Sequence, residues 1–407
     1  MARWLDCLRD IDHPAIKQSN NQTINKNMQQ NLYEEEHQLF RESVRAFLKK
    51  EAVPNYEKWE KEGKVDRALW KKAAELGLLG IDIPEEYDGL GLNDFRYNAI
   101  LLEELGRANS SGPGFSIQNE IVVPYLNKYC TPAQKQKYFP KIVSGDIICA
   151  LGMSEPAAGS DLKGIKTRAV KKADHYLLNG AKTFIGNGIH ADLVVLFVKT
   201  NPELGNKGFS LFLMERGMEG FTRGKKLDKI GLKGQDTAEL FFEDVKVPFD
   251  NLLGEEGRGF YYLMHNLPQE RLGIAINAIA NMEAILAETI QYCKDRKAFG
   301  KSIGTFQNSR FAIAEMQTEV TIARTFVDAC IYELCHQKLT AEKAAMAKYW
   351  VTDLQFKVLD QCLQLHGGYG YMNEFNVARA WRDARVQRIY GGTNEIMKEI
   401  IGRSIGF

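Results

Sequence analysis

Leu193-Val194-Val195-Leu196-Phe197-Val198, bounded by Asp192 and Lys199, is the stretch whose reading decides the fold. Its β-branched and aromatic composition and its short length suit a buried strand better than a helix. Phe209 to Met214 and Ala238 to Val247 repeat that character between turns rich in Gly, Asn and Asp. A small β-domain is therefore expected over residues 145–258.

Outside that region the apolar period is helical. Phe40, Val44, Phe47 and Leu48 fall on one face, and Leu69, Ala73, Leu76 and Leu79 on another, which predicts an N-terminal α-domain over 32–144. Its loop Ile83 to Leu92 joins two helices. Beyond Gly259 a helix is expected with Pro268 in its first turn, running through Leu272, Ile276, Ile279 and Ile285 towards Arg296. A second spans about Phe306 to His336, and a third runs from Thr340, a plausible N-cap, to Leu365. With a shorter one around Val377 to Gln387 these can close a four-helix bundle over 259–407. Residues 1–31, rich in Asn and Gln from Lys17 on, read as a disordered leader.

A chain of 407 residues with 44% hydrophobic and 26% charged content suits a soluble protein of two or three domains. Its formal net charge of +1 gives no field for nucleic acid. No apolar run approaches membrane-spanning length, and Asp6, Asp10 and Asp12 spoil a presequence, so no integral membrane segment is expected and the cytoplasm is the default. Seven scattered cysteines without a Cys-x-x-Cys pair indicate reduced packing residues. Seven histidines without His-x-x-x-His spacing argue against a metal site. Gly300-Lys301-Ser302 lacks the earlier glycine of a P-loop, since Asp295 stands there, and Gly367-Gly368-Tyr369-Gly370 follows a helix where a dinucleotide fingerprint would follow a strand.

Arg388-Ile389-Tyr390-Gly391-Gly392-Thr393-Asn394-Glu395-Ile396 places bare backbone before a helix start, with Thr393 as N-cap. Such a helix end can hold an anion or a polarised carbonyl, or it can be an ordinary glycine turn. The residues alone leave both open.

This run, with Ser154-Glu155-Pro156-Ala157-Ala158-Gly159-Ser160-Asp161, Phe184-Ile185-Gly186-Asn187-Gly188, Asp295-Arg296-Lys297-Ala298-Phe299-Gly300-Lys301 and Gln364-Leu365-His366-Gly367-Gly368, resembles in order and spacing the acyl-CoA dehydrogenase family of flavoenzymes. The likeness runs from about Leu32 to Arg403 and is greatest to the long-chain branch. It implies an N-terminal helical domain, a central small β-barrel or sandwich and a C-terminal four-helix bundle. It also implies FAD, with Leu151, Met153, Ser154, Gly159, Ser160, Phe184, Ile185 and Gly186 on one side of the flavin and Thr393 and Glu395 on the other. Arg296, Phe299, Gln307, Gln364, Gly367 and Gly368 would reach the adenosine diphosphate half of FAD held by a neighbouring subunit, in a homotetramer built as a dimer of dimers. The implied substrate is an acyl-CoA touched by Ser160, Tyr261, Arg271, Gly391 and Gly392, and the implied electron acceptor is an electron transfer flavoprotein.

Most members of that family carry the catalytic glutamate at the position of Gly391, which has no side chain to accept a proton. The long-chain and isovaleryl branches supply it from the bundle helix, which here points to Glu270 in Leu267-Pro268-Gln269-Glu270-Arg271-Leu272. The empty position would leave room for a carboxylate from another segment, and burial would raise its pKa towards what α-proton abstraction needs. The competing reading is a glutamate that pairs with Arg271 or caps a helix. Three departures stand out: Gly186 for the usual hydroxyl residue near flavin N5, Ala157 for a glycine that a negative φ would excuse, and Leu151 for a polar group. They keep open a branched short-chain (isovaleryl-like) dehydrogenase, an acyl-CoA oxidase, or a non-catalytic acyl-CoA-binding scaffold.

Overall fold

The structure, a computed structural model, describes residues 32–110 and 112–407. The expected leader and Cys7 lie outside the described residues.

Six α-helices come first: α1 (Glu35–Phe47), α2 (Tyr56–Glu62), α3 (Arg67–Glu75), α4 (Phe95–Arg107), α5 (Val123–Tyr129) and α6 (Pro132–Val143). The apolar faces read from the sequence pack as expected for Val44, Phe47, Leu48, Leu69, Ala73 and Leu79, whereas Leu76 is 47% exposed. Leu76 is the C-cap of α3, where the chain leaves the helix and its face with it. Thr131 opens α6 with a reciprocal capping box to Gln134. A π-helical turn, Ile117–Val122, runs straight into α5.

Eight strands follow: β1 (Cys149–Gly152), β2 (Arg168–Lys171), β3 (His175–Gly186), β4 (Leu193–Lys199), β5 (Phe209–Glu215), β6 (Phe221–Lys226), β7 (Thr237–Pro248) and β8 (Leu252–Leu253). They form one eight-stranded sheet in the order β6-β7-β3-β2-β4-β5-β8, with β1 parallel on β4. The six-residue apolar run that opened the sequence analysis is β4, buried on both faces between β1 and β5. The long β3–β7 ladder breaks register between Lys182 and Ile185, which re-aims Phe184.

Helix α7 (Gly259–Asp295) is longer than the sequence suggested. It begins at Gly259, so Pro268 lies inside the helix and not in its first turn. Pro268 has no N–H to offer the Met264 carbonyl one turn earlier, and Met264 is partly exposed to water. By length and composition α7 also reaches the range of a membrane span, contrary to the expectation from the sequence. That window is 61% buried, because α7 is the central helix of the bundle. A tight hairpin of β9 (Lys297–Ala298) and β10 (Lys301–Ser302) then leads to α8 (Gln307–Cys335), α9 (Ala341–His366), α10 (Asn376–Ala384) and α11 (Asn394–Ser404). Thr340 caps α9 as expected, accepting the Lys343 N–H at 3.3 Å.

One apolar cluster joins Leu272, Ile276 and Ile279 of α7, Val320 and Val327 of α8, Val351 and Val358 of α9, and Val377 and Ala380 of α10. It also takes in Ala99, Ile100 and Leu102 of α4, so the N-terminal helices and the bundle share a core.

Candidate active site

Glu270 sits in the fourth turn of α7, too deep to cap the helix. Among the described residues it forms no ion pair with Arg271. Its single hydrogen-bond partner among the described residues is Tyr125 of α5, whose hydroxyl donates to Oε1 at 2.8 Å. Burial pushes the Glu270 pKa up to about 7, against smaller lowering effects of the Tyr125 hydrogen bond and of Arg271. It is thus half ionised near neutrality, where a general base works best.

The same face of α7 meets the glycine run. Ile274 follows Glu270 by one turn, and its Cδ1 lies 2.4 Å from where a Gly391 Cβ would stand. The space left by the missing side chain is therefore filled by Ile274 rather than by the carboxylate, which comes in one turn earlier. Gly391 and Gly392 both hold positive φ (65° and 95°), a region that favours glycine. Arg271 Nε donates to the Gly391 carbonyl at 3.4 Å, and Lys348 Nζ to the Gly392 carbonyl at 2.8 Å. Lys348 also donates to Asn394 Oδ1 at 2.8 Å, while Asn394 Nδ2 donates to Asp353 Oδ1 and the Tyr349 carbonyl. The N–H groups of Gly391 and Gly392 have no acceptor among the described residues. Thr393 accepts from the Ile396 N–H, as read from the sequence, and Glu395 in the first turn of α11 is exposed. Burial pushes the Lys348 pKa down to about 7, with Arg271 adding repulsion.

A second group of sequence-selected residues lies on the β-domain. Glu155 and Ala158 close a tight turn by mutual backbone hydrogen bonds of 2.8 and 3.1 Å. The Glu155 carboxylate accepts from the Lys166 and Thr167 N–H groups and from Lys182 Nζ, which also donates to the Met153 carbonyl at 2.9 Å. Ser154 accepts the Thr183 N–H at 2.9 Å, tying this loop to the end of β3. A Cβ at Gly159 would touch nothing within 4 Å, and Ser160 is exposed. Phe184 holds φ 60° and is 72% exposed, so it is not a core residue, while Ile185 is buried beside it. At Gly186 a Cβ would meet Ile117 Cδ1 at 2.6 Å, so Ile117 takes the space of the expected hydroxyl side chain. Ala157 is absent from the positive-φ residues, which explains why it can replace glycine. Leu151 packs against the apolar cluster under the sheet.

A third group surrounds a cavity of about 520 Å³ lined by Arg296, Gln364, Gly367, Gly368 and Tyr369 among others. The Arg296 guanidinium lies 5.6 Å from the Tyr369 ring centre and forms no ion pair among the described residues. A Cβ on Gly367 or Gly368 would meet nothing within 4 Å, leaving an open backbone cradle. A guanidinium beside bare backbone suits a pyrophosphate. Gln307 and Phe299 are outside that lining; Phe299 (94% exposed) and Gly300 form the hairpin tip, both with positive φ. Tyr261 is exposed under the Arg258 guanidinium, 5.0 Å from its ring centre.

Tyr125, Lys348, Lys182 and Ile274 were missed by sequence reasoning. Only Lys348 carried a signal, a lysine on the apolar stripe of Ala344, Ala345 and Val351. Among the described residues Glu34, Glu36 and His37 bring three ligand-type atoms within 4.8 Å, but both His37 ring nitrogens are engaged, by the Glu34 N–H and by Asp94.

A helical domain, a sheet domain and a helical bundle, with a buried carboxylate one turn before the residue that closes on a glycine loop, define a three-domain class by form. The chain belongs to the acyl-CoA dehydrogenase family: the N-terminal, middle and C-terminal domain models match residues 34–146, 150–245 and 257–406. It is 50% identical over 376 residues to the mitochondrial long-chain specific acyl-CoA dehydrogenase of Rattus norvegicus, covering 92% of this chain and 87% of that one. Identity to the mitochondrial isovaleryl-CoA dehydrogenase of Arabidopsis thaliana is 38%, covering 92% of each. A crystal structure of acyl-CoA dehydrogenase from Geobacillus kaustophilus superposes with a TM-score of 0.90 at 51% identity, over 92% of this chain and 99% of that one.

Proposed function

We propose that this chain is an FAD-dependent acyl-CoA dehydrogenase that converts fatty acyl-CoA thioesters to trans-2-enoyl-CoA in fatty acid β-oxidation, with Glu270 as the base. The observation that carries this reading is the Glu270 carboxylate, buried, free of ion pairing with Arg271 and one helical turn from the residue that closes on Gly391. It removes the α-proton of the substrate. The N–H groups of Gly391 and Gly392, without acceptors among the described residues, are suited to hold the thioester oxygen, which stabilises charge as the proton leaves. Arg271 orients that loop. Bound FAD supplies the acceptor for the β-hydride at its N5.

The β-domain and cavity residues fit that cofactor. Phe184 offers an uncovered ring and Gly159 an open backbone, as a flavin would need, and Arg296 with Gly367 and Gly368 offers a pyrophosphate cradle. Thr393, Glu395, Gln307 and Phe299 keep their roles at the cofactor by resemblance, as do Ser160 and Tyr261 at the substrate. A homotetramer, an electron transfer flavoprotein as acceptor and division at residues 144/145 and 258/259 belong to the same proposal. Identity of 50% to the long-chain relative against 38% to the isovaleryl one supports the long-chain branch. Both relatives are named mitochondrial, which supports the matrix over the cytoplasmic default.

The test is a panel of acyl-CoAs from short to long, followed by anaerobic bleaching of the flavin and then by admission of air. Bleaching that peaks with long straight chains and recovers slowly in air supports this reading. Rapid recovery in air would instead favour an oxidase, and a purified protein without flavin colour a binding scaffold. Glu270→Gln should keep FAD and ligand binding and lose turnover by roughly 10²-fold or more. Near-normal turnover in that variant would reject the base.

A further inference from the structure

Among the described residues one side chain from outside the bundle hydrogen-bonds Glu270, and it has no place in the mechanism above. Tyr125 lies 145 positions away in sequence, fully buried, and its hydroxyl donates to Glu270 Oε1 at 2.8 Å. Core packing fixes its position. Helix α5 follows the π-helical turn with Pro124 in its first turn, and it packs with Val122, Val123, Leu126, Tyr138 and Phe139 against Tyr262 and Leu263 of α7. The phenol is therefore held by the same core that holds the helix carrying Glu270.

We propose that Tyr125 is the positioning residue of the base: it fixes one carboxylate oxygen of Glu270 and leaves the other to meet the substrate's α-proton. This rests on the assignment of Glu270 above. A carboxylate on a side chain with three rotatable bonds can turn either oxygen, or neither, towards a substrate. One short hydrogen bond from a rigid donor removes that freedom, and such orientation is worth a large factor in rate. The bond also favours the charged form, opposing burial. The remaining charged group acting on Glu270 is Arg271 of its own helix; Asn266 and Tyr129 act on the phenol. Burial and the neighbouring Glu270 push the ionisation of Tyr125 well above its ordinary value, so it remains a donor throughout the working range.

The experiment uses the FAD-loaded enzyme and palmitoyl-CoA. The Glu270 carboxyl is followed directly, as the infrared band that Glu270→Gln abolishes, and flavin bleaching is measured across pH. Tyr125→Phe removes one oxygen and keeps the ring; retained flavin content and thermal midpoint show that it folds. In that variant the carboxyl midpoint should rise by about one pH unit, the loss of a hydrogen bond to a charged group. Bleaching at neutral pH should slow about tenfold with KM within about twofold. An unmoved carboxyl midpoint beside a slow Glu270→Gln would overturn the role of Tyr125 alone. Wild-type bleaching in Glu270→Gln would overturn the base and this inference together.

Discussion

Glu103 and Glu270 are both buried carboxylates, one at the seam between α4 and the bundle, the other beside the glycine loop, and the protein drives them in opposite directions. Burial alone would raise the pKa of each. At Glu103, Arg324, Arg41 and Arg107 overcome burial and bring it down to about 2, with Arg324 Nη1 at 2.8 Å and Arg41 Nη1 at 2.5 Å. At Glu270 the only hydrogen-bond donor among the described residues is a neutral phenol, and burial wins, raising it to about 7. What separates a structural carboxylate from a reactive one here is the supply of cations around it. Arg271, next in sequence to Glu270, spends its Nε on the Gly391 carbonyl.

The largest expected effect tests the structural side. Arg324 pairs with Glu103, with Glu283 at 2.7 Å and with Asp328 at 3.3 Å, and is itself buried. Arg324→Leu should cost about 3–5 kcal/mol of stability, as buried acids lose their shared cation, read from denaturant unfolding of the FAD-loaded protein. A loss under about 1 kcal/mol would break the contrast. Next comes the pH dependence of Glu270. Its folded value lies above the ordinary 4.5, so the unfolded chain gives up this proton first, and the penalty grows as pH rises from about 4.5 to about 7. Glu270→Gln should therefore gain stability relative to wild type at pH 8 over pH 4.5, by up to about 3 kcal/mol. Glu103 has the reverse sign: its contribution is complete above about 4.5 and is lost as pH falls towards 2. If Glu270→Gln showed no such pH-dependent gain, the two carboxylates would differ less than their surroundings imply. The smallest effect is expected from Gly391→Ala, where a positive φ costs about 1–2 kcal/mol and Ile274 must move. It should raise KM severalfold and leave unfolding near Glu103 untouched, as hydrogen exchange on α4 would check.

Much of the architecture could be read from the chain because it is local. The strand at Leu193 to Val198, the cap at Thr340 and the glycine turn before α11 depend on residues a few positions apart. Pro268 misled for the same reason: proline favours a helix start, yet here packing on the sheet domain from Gly259 carries the helix through it. Glu270 was singled out by resemblance, but its depth in α7 and its separation from Arg271 needed coordinates. Tyr125 had no signal, since a tyrosine among apolar residues looks like any core aromatic until the helix 145 positions away is placed against it. Phe184 was assigned to the flavin by resemblance alone, since its strand pattern hides the register break that turns it outward.

Lys348 and Arg271 grip successive carbonyl oxygens of the glycine loop from behind, one from each of two bundle helices. Which side of that loop shows hydrogens to a guest is thus dictated by helices far from it in sequence. Moving the Tyr390 to Glu395 segment into another scaffold would carry the glycines across but leave their orientation behind.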